Sequence, residues 1–144
     1  SVVISPMSMS EINEIASYDA TIVGADRTKL LRQLYERAPK RAFVARMDQS
    51  LAGYVLGRDG REVTQIGPVT ADDGNIAIAL IYRALNGMTG GAVIDTTEHQ
   101  TAVIGWLKGS GFSYQRPYIR MLRGRSESVD QMDYVFAIAG PELG

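Results

Sequence analysis

The order in which hydrophobic periodicities follow one another along this chain constrains its fold most. Residues 42–46, 51–58 and 63–69 are three strand-like runs separated by turn-forming residues, which is typical of an antiparallel meander. Residues 72–88 then change to helical period, and the short apolar run 92–94 follows a glycine pair. A strand, a helix and a strand in this order can form a right-handed parallel crossover. The pattern therefore predicts a mixed sheet.

Two amphipathic helices are predicted before the meander. A short apolar strand, residues 2–4, precedes them. Ser8 and Glu11 have the spacing of a capping box, which starts the first helix, and Asp26 can cap the second helix, which Pro39 ends. Both helices carry apolar residues at helical period, so each has one face to bury.

The remaining pattern completes one α/β domain. Residues 98–108 predict a further helix, and residues 114–122 and 134–139 predict the last two strands. The predicted order is β-α-α-β-β-β-α-β-α-β-β, with helices on both faces of a mixed central sheet. No repeat or linker divides the chain, so residues 1–144 are expected to form a single domain.

The composition limits the classes of function open to the chain. Lysine and arginine number 15 against 16 acidic residues, so no overall positive field favours nucleic acid or an anionic membrane. The absence of cysteine excludes disulfides, thiolate zinc sites and cysteine nucleophiles. No apolar run reaches membrane-spanning length, and the first residues lack the pattern of a signal peptide. We expect a cytoplasmic protein that uses no metal, nucleic acid or membrane.

Several short motifs, taken in this element order, resemble one acyltransferase family. The run at residues 103–112 has an aromatic residue, Trp106, followed after a turn by Gly111 and Phe112, and further matching residues lie at 18–19, 24–27, 65–69, 116–121 and 139–144. The chain resembles GNAT acyltransferases, in particular the GNAT-like domain that forms the C-terminal half of certain two-domain acetyltransferases. The resemblance implies acetyl-CoA or another acyl-CoA as co-substrate and a small-molecule or protein amine as acceptor. It also implies a preceding GNAT domain or a homodimer as a possible partner.

The resemblance assigns a coenzyme loop to residues 72–77. In active members an Arg/Gln-x-x-Gly-x-Gly/Ala loop holds the coenzyme pyrophosphate with backbone N–H groups at a helix N-terminus. Here Asp72 stands at the basic or amide position and Asn75 replaces a glycine, while Leu107 aligns with the family's proton-donating tyrosine. The coenzyme-binding candidates are Gly67, Val69, Asp72, Gly74, Asn75, Ile76 and Ala77. An alternative interpretation is that the two carboxylates of residues 72–73 only stabilise the helix dipole.

Gly67 and Pro68 lie within a strand-like run. Proline cannot donate to a strand ladder and glycine weakens a strand interior, so the pair predicts a bulge or an edge position, and a turn that ends the strand is the alternative. The resemblance implies a bulge there that aims a backbone N–H at the thioester carbonyl.

Candidates for the general base follow the strand at residues 92–94. Asp95, Glu98 and His99 lie where open α/β sheets place ligands. Helix-start rules favour a second interpretation, in which Asp95 and the adjoining threonines cap the next helix and His99 is solvated.

A basic segment lies near the C-terminus. Arg116, Tyr118 and Arg120 alternate along a predicted strand, so they share one face, which could contact a substrate or a partner. A solvated outer face is the alternative.

Three interpretations of the function follow. In the first, an acceptor amine attacks an acyl-CoA thioester in a cleft where the strands at 63–69 and 92–95 diverge, with the backbone of residues 67–69 polarising the carbonyl. In the second, the domain is a non-catalytic GNAT-like module that binds a ligand or a partner domain. An unrelated function on the same fold is a third interpretation.

Overall fold

A computed structural model describes residues 1–60, 63–88, 90–96, 100–113 and 134–137 of the chain. The strands are β1 (Val2–Pro6), β2 (Phe43–Met47), β3 (Ser50–Asp59), β4 (Val63–Ala71), β5 (Gly91–Ile94) and β6 (Val135–Ala137). The α-helices are α1 (Ile12–Val23), α2 (Thr28–Arg37), α3 (Gly74–Leu85) and α4 (Thr101–Gly109), and short 3-10 turns cover Met9–Glu11 and Pro39–Arg41. The predicted α/β fold is confirmed. The strand predicted at residues 114–122 lies outside the described residues.

The strands form one mixed sheet in the order β1-β2-β3-β4-β5. Neighbours from β1 to β4 are antiparallel, and β4 and β5 are parallel, as the crossover pattern predicts. The sixth strand pairs antiparallel with β4. One edge of β4 lies against β3, so β5 and β6 share its other edge.

Local sequence signals account for where the first helices begin and end. The Ser8 backbone N–H donates to Glu11 Oε1 at 2.9 Å, as in a capping box, and a 3-10 turn leads into α1. Asp26 Oδ1 accepts from the Thr28 backbone N–H at 2.9 Å where α2 begins. Pro39 starts a new 3-10 turn after α2 has ended at Arg37. The sequence-based helix starts are therefore correct to within a few residues.

Two apolar clusters lie on opposite faces of the sheet. Along β3, Val55 belongs to the cluster beneath α3 and α4, whereas Tyr54 and Leu56 belong to the cluster beneath α1 and α2. Side chains of successive strand residues point to opposite faces, so β3 is buried on both sides. Burial on both faces explains why the middle of β3 is a nearly continuous apolar run.

Candidate functional site

The centre of the candidate site is the point where β4 and β5 separate. The two strands are paired from Val63 with Gly91 to Ile66 with Ile94, and β5 ends there. Beyond that point, β6 takes the place of β5 against β4, with Val69 opposite Ala137 and Thr70 opposite Val135. The edge of β4 that the divergence leaves free is therefore occupied by a strand from the same chain.

A bulge lies at the same point of β4. Val55 pairs with Val69 and Gly57 with Ile66, so β4 has one residue more than β3 in this interval. The strand continues to Ala71, so the interpretation as a strand-ending turn is wrong and the bulge is confirmed. Gly67 has φ 147°, a conformation that other residues rarely adopt, and its peptide bond to Pro68 is cis.

The predicted coenzyme loop follows β4 directly, and its two aspartates differ in role. Asp73 caps α3, because its carboxylate accepts from the Ile76 backbone N–H at 2.9 Å. Asp72 does not cap the helix. Its backbone N–H donates to the Ala52 carbonyl at 2.9 Å, and its Oδ1 accepts from the Tyr18 hydroxyl at 2.9 Å.

Of the other coenzyme-binding candidates in the loop, some lie in the core and some at the surface. Ile76 and Ala77 are buried beneath the sheet, so only their backbone could contact a ligand. Gly74 is half-buried and Asn75 is exposed. Leu107, which aligns with the family's tyrosine, is part of the apolar core and has no proton to donate.

Asp95 is the one candidate base that lies within the described residues; Glu98, His99, Arg116, Tyr118 and Arg120 lie outside them. Asp95 follows β5 and is half-buried, and its Oδ2 accepts from the Gln65 side-chain amide at 3.2 Å. It therefore lies beside the segment of β4 that precedes the bulge.

A buried polar network, which the sequence analysis did not assign to the site, lies under α1. Asp19 is fully buried, and Arg27 donates to its two carboxylate oxygens at 2.9 and 2.8 Å. The Tyr54 hydroxyl also donates to Asp19, and the Thr70 hydroxyl lies 3.5 Å from that of Tyr54. The network thus connects α1 and the start of α2 to β3 and β4.

The protonation of this network follows from burial and charge. Burial raises the pKa of the Tyr54 phenol well above its ordinary value, and the nearby Asp19 charge adds to the effect. Burial opposes the charge of Arg27, but its hydrogen bonds and charge interactions with Asp19 and Tyr54 together outweigh that cost, so its pKa is also raised. Tyr54 therefore stays neutral and Arg27 stays charged. The network fixes positions and is unsuited to proton transfer.

A sequence signal for this network exists. Asp19 falls on the same helical stripe as Ile12, Ile15 and Ile22, which are all buried. A carboxylate on the apolar face of a helix requires a buried partner, since an unpaired buried charge is very costly. That argument predicts a partner, but the stripe alone does not identify Arg27.

An open cavity of about 390 Å³ lies beside α1. Among the described residues its lining consists of Tyr18, Thr21 and Ile22 of α1, Asp72 after β4, and Tyr134 before β6. Burial raises the pKa of the Tyr18 phenol strongly, and the hydrogen bond to Asp72 raises it further, so this group stays protonated. Tyr18 can therefore hold the Asp72 carboxylate but cannot act as a base near neutral pH.

Within the described ranges, no three histidine, cysteine or acidic side chains converge as metal ligands, and no helix has the length and apolar character needed to cross a bilayer.

The family profile of the Acetyltransferase (GNAT) domain matches residues 15–137, so the chain belongs to the GNAT family. A curated relative, the holothin acyltransferase of Pseudoalteromonas sp. (strain SANK 73390), is 27% identical over 135 residues, which are 92% of this chain and 46% of that protein. The chain spans less than half the length of the curated relatives it matches.

Solved structures confirm the fold. Ard1 from Thermoplasma volcanium superposes with a TM-score of 0.64 at 17% identity, covering 80% of this chain and 84% of that one. A predicted acetyltransferase from Clostridium acetobutylicum, solved with acetyl-CoA, superposes with a TM-score of 0.60 at 12% identity, covering 85% and 96%. At these identities the likeness extends to the fold alone.

Proposed function

We propose that this domain belongs to an N-acyltransferase that transfers an acetyl or acyl group from acyl-CoA to an amine, and that it serves there as a ligand-binding module with no coenzyme cleft of its own. The single observation that carries the proposal is the pairing of β6 with β4 at Val69 and Thr70. The resemblance to GNAT acyltransferases implies that the coenzyme would enter where β4 and β5 diverge.

The energetics of the paired strand support this role. A net backbone hydrogen bond contributes about 1 kcal/mol, so an incoming coenzyme would have to offset roughly that for each bond broken in displacing β6. Phe136 of β6 is also buried in the apolar core, and its exposure would add to the cost.

The electrostatics of the loop also support it. The Asp73 carboxylate already accepts the Ile76 N–H at the start of α3, where a pyrophosphate would have to bind. Asp72 adds a second negative charge next to it. Two like charges about 4 Å apart repel by about 1 kcal/mol in water and about 4 kcal/mol near a protein surface.

The bulge favours a second candidate function, in which this domain itself transfers the acyl group. The backbone N–H of Gly67 or Val69 would polarise the thioester carbonyl, and the neutral amine nitrogen would form an amide bond to the carbonyl carbon as the carbon–sulfur bond breaks. Asp95 or a water would accept the proton that the nitrogen loses. The coenzyme would leave as a thiolate and take a proton from solvent, since Leu107 cannot supply one.

Calorimetric titration with acetyl-CoA separates the two candidates. The proposed module shows no saturable binding at millimolar coenzyme, and replacing Asp72 by Gln, which restores the family's amide, changes little. Saturable binding in the micromolar range that Asp72→Gln tightens would overturn the proposal in favour of transfer by this domain.

A further inference from the structure

We infer that the cavity between α1, the end of β4 and the start of β6 binds a small organic ammonium ion, with Asp72 as its counter-ion and Tyr18 and Tyr134 as its aromatic walls. This inference rests on the proposed ligand-binding role, and it names the chemical class of the ligand. It requires no contact with coenzyme A.

The charge of the cavity selects a cation. Asp72 is the one charged side chain among the described residues that line it, and it is exposed. The nearby buried cation Arg27 is bound through two nitrogens to Asp19, so its charge is already compensated. An anion would meet Asp72 and Asp73 with no free positive partner among these groups.

The Asp72 carboxylate is held in place before any ligand arrives. The Tyr18 hydroxyl lies 2.9 Å from Asp72 Oδ1 and 3.2 Å from the Ala52 carbonyl, and the Asp72 backbone N–H also donates to Ala52. Both contacts to β3 are with the Ala52 carbonyl, so they hold Asp72 in place against this strand. No hydrogen bond from a described residue reaches Oδ2, so this oxygen can accept from an ammonium ion. Preorganisation of this kind reduces the entropy lost on binding.

The walls suit a cation that carries carbon groups. Tyr18 is partly buried, Ile22 is almost fully buried, and Tyr134 keeps 39% of its surface exposed. Aromatic rings attract ammonium ions through their negative faces, while their apolar surface contacts the attached carbons. The volume of about 390 Å³ lies at the lower end of the range for small-molecule sites. A ligand of a few carbons around one charged nitrogen fits these limits.

The test compares choline chloride, ethanolamine hydrochloride and 3,3-dimethylbutan-1-ol, a neutral isostere of choline. Binding is followed by ¹H–¹⁵N NMR titration of the whole chain, with the amides of Thr21, Ile22 and Asp72 as reporters. We expect at least one of the two cations to saturate these shifts and the neutral alcohol to bind at least about tenfold more weakly.

Asp72→Asn and Asp73→Asn are matched variants, because each removes one negative charge from the same loop. Asn is as good a helix cap as Asp, so Asp73→Asn keeps the start of α3. We expect Asp72→Asn to weaken the cation by about tenfold and Asp73→Asn to change it by less than about twofold. Tyr18→Phe keeps the ring and removes the hydroxyl, so it should retain part of the affinity. Denaturation curves verify that each variant is folded.

The outcomes separate this inference from the proposed function. Equal binding of choline and its neutral isostere, equal loss in the two aspartate variants, or no binding of either cation would overturn the ammonium site. If the cation binds as expected and acetyl-CoA binds as well, the ammonium site stands and the closed coenzyme cleft is wrong. If neither the coenzyme nor a cation binds, the proposal that the domain has no coenzyme cleft is supported and the ammonium site is wrong.

Discussion

Helices α1 and α2 and helices α3 and α4 cover opposite faces of one sheet, and the two faces are packed by different means. Beneath α3 and α4 the buried cluster consists of apolar side chains such as Leu80, Ile81 and Val103. Beneath α1 the packing includes Asp19, the one charged side chain that is fully buried among the described residues. Apolar packing tolerates exchange of similar side chains, whereas a buried charge requires one particular partner. The first face therefore contributes mainly stability, and the second holds defined groups in position beside the cavity.

The largest expected effect on stability comes from the face of the sheet that α1 and α2 cover, where Asp19 is buried. Asp19→Ala leaves the Arg27 charge without its buried partner, and the free energy of unfolding should fall by about 3–5 kcal/mol in urea denaturation. The double variant Asp19→Leu with Arg27→Met should recover most of that loss, since an apolar pair can replace a buried ion pair. A double variant no better than the single one would contradict the proposed coupling.

A smaller effect on stability is expected from the face of the sheet that α3 and α4 cover. Leu80 of α3 is fully buried, so Leu80→Ala should lower the free energy of unfolding by about 3 kcal/mol. The loss comes from apolar contacts, and it should be the same in low and high salt. A loss below about 1 kcal/mol would indicate that this cluster closes around the deletion and is less rigid than we infer.

The smallest expected effect is on the pH dependence of stability, and it comes from carboxylates in and next to α1. Burial tends to raise the pKa of Glu11, but its hydrogen bonds with Arg46 and Ser8 and the Arg46 charge together outweigh that effect, and the same guanidinium lowers the pKa of Glu14. A folded pKa below the ordinary value of 4.5 gives stability that is present at neutral pH and is lost as the pH falls below that value.

Arg46→Met should therefore reduce the loss of stability between pH 7 and pH 3.5, by less than about 1 kcal/mol because these side chains are partly exposed. Urea midpoints at the two pH values measure it. Arg32→Met, at an exposed arginine of α2, is the matched control, and an equal change in both variants would contradict the local origin.

The parts of the fold that the sequence predicted are those with a local cause. Apolar periodicity predicted the meander, the crossover and both pairs of helices, and the helix caps act within four residues of the chain. The pair Gly67 and Pro68 predicted an irregularity in β4, and only the register against β3 distinguished the bulge from a turn.

The candidate site was less predictable, because its contacts join distant segments. The two aspartates after β4 are adjacent in sequence and both precede a helix, so local rules do not distinguish them. They differ because Tyr18, 54 residues away, contacts Asp72, while Asp73 contacts its own helix. The predicted general bases at 98–99 and the basic face at 116–120 lie outside the described residues and remain predictions.

The sequence by itself determined the class of fold and the family resemblance, because periodicity, capping and glycine positions depend on neighbours within a few residues. Tertiary structure alone decided two features of the site. The pairing of β6 with β4 joins segments more than 60 residues apart, and the placing of Asp72 in a cavity depends on its contact with Tyr18 of α1. A three-residue strand has too little pattern to specify its partner. Its position is selected by the burial of Phe136 and by the free edge that β5 leaves on β4.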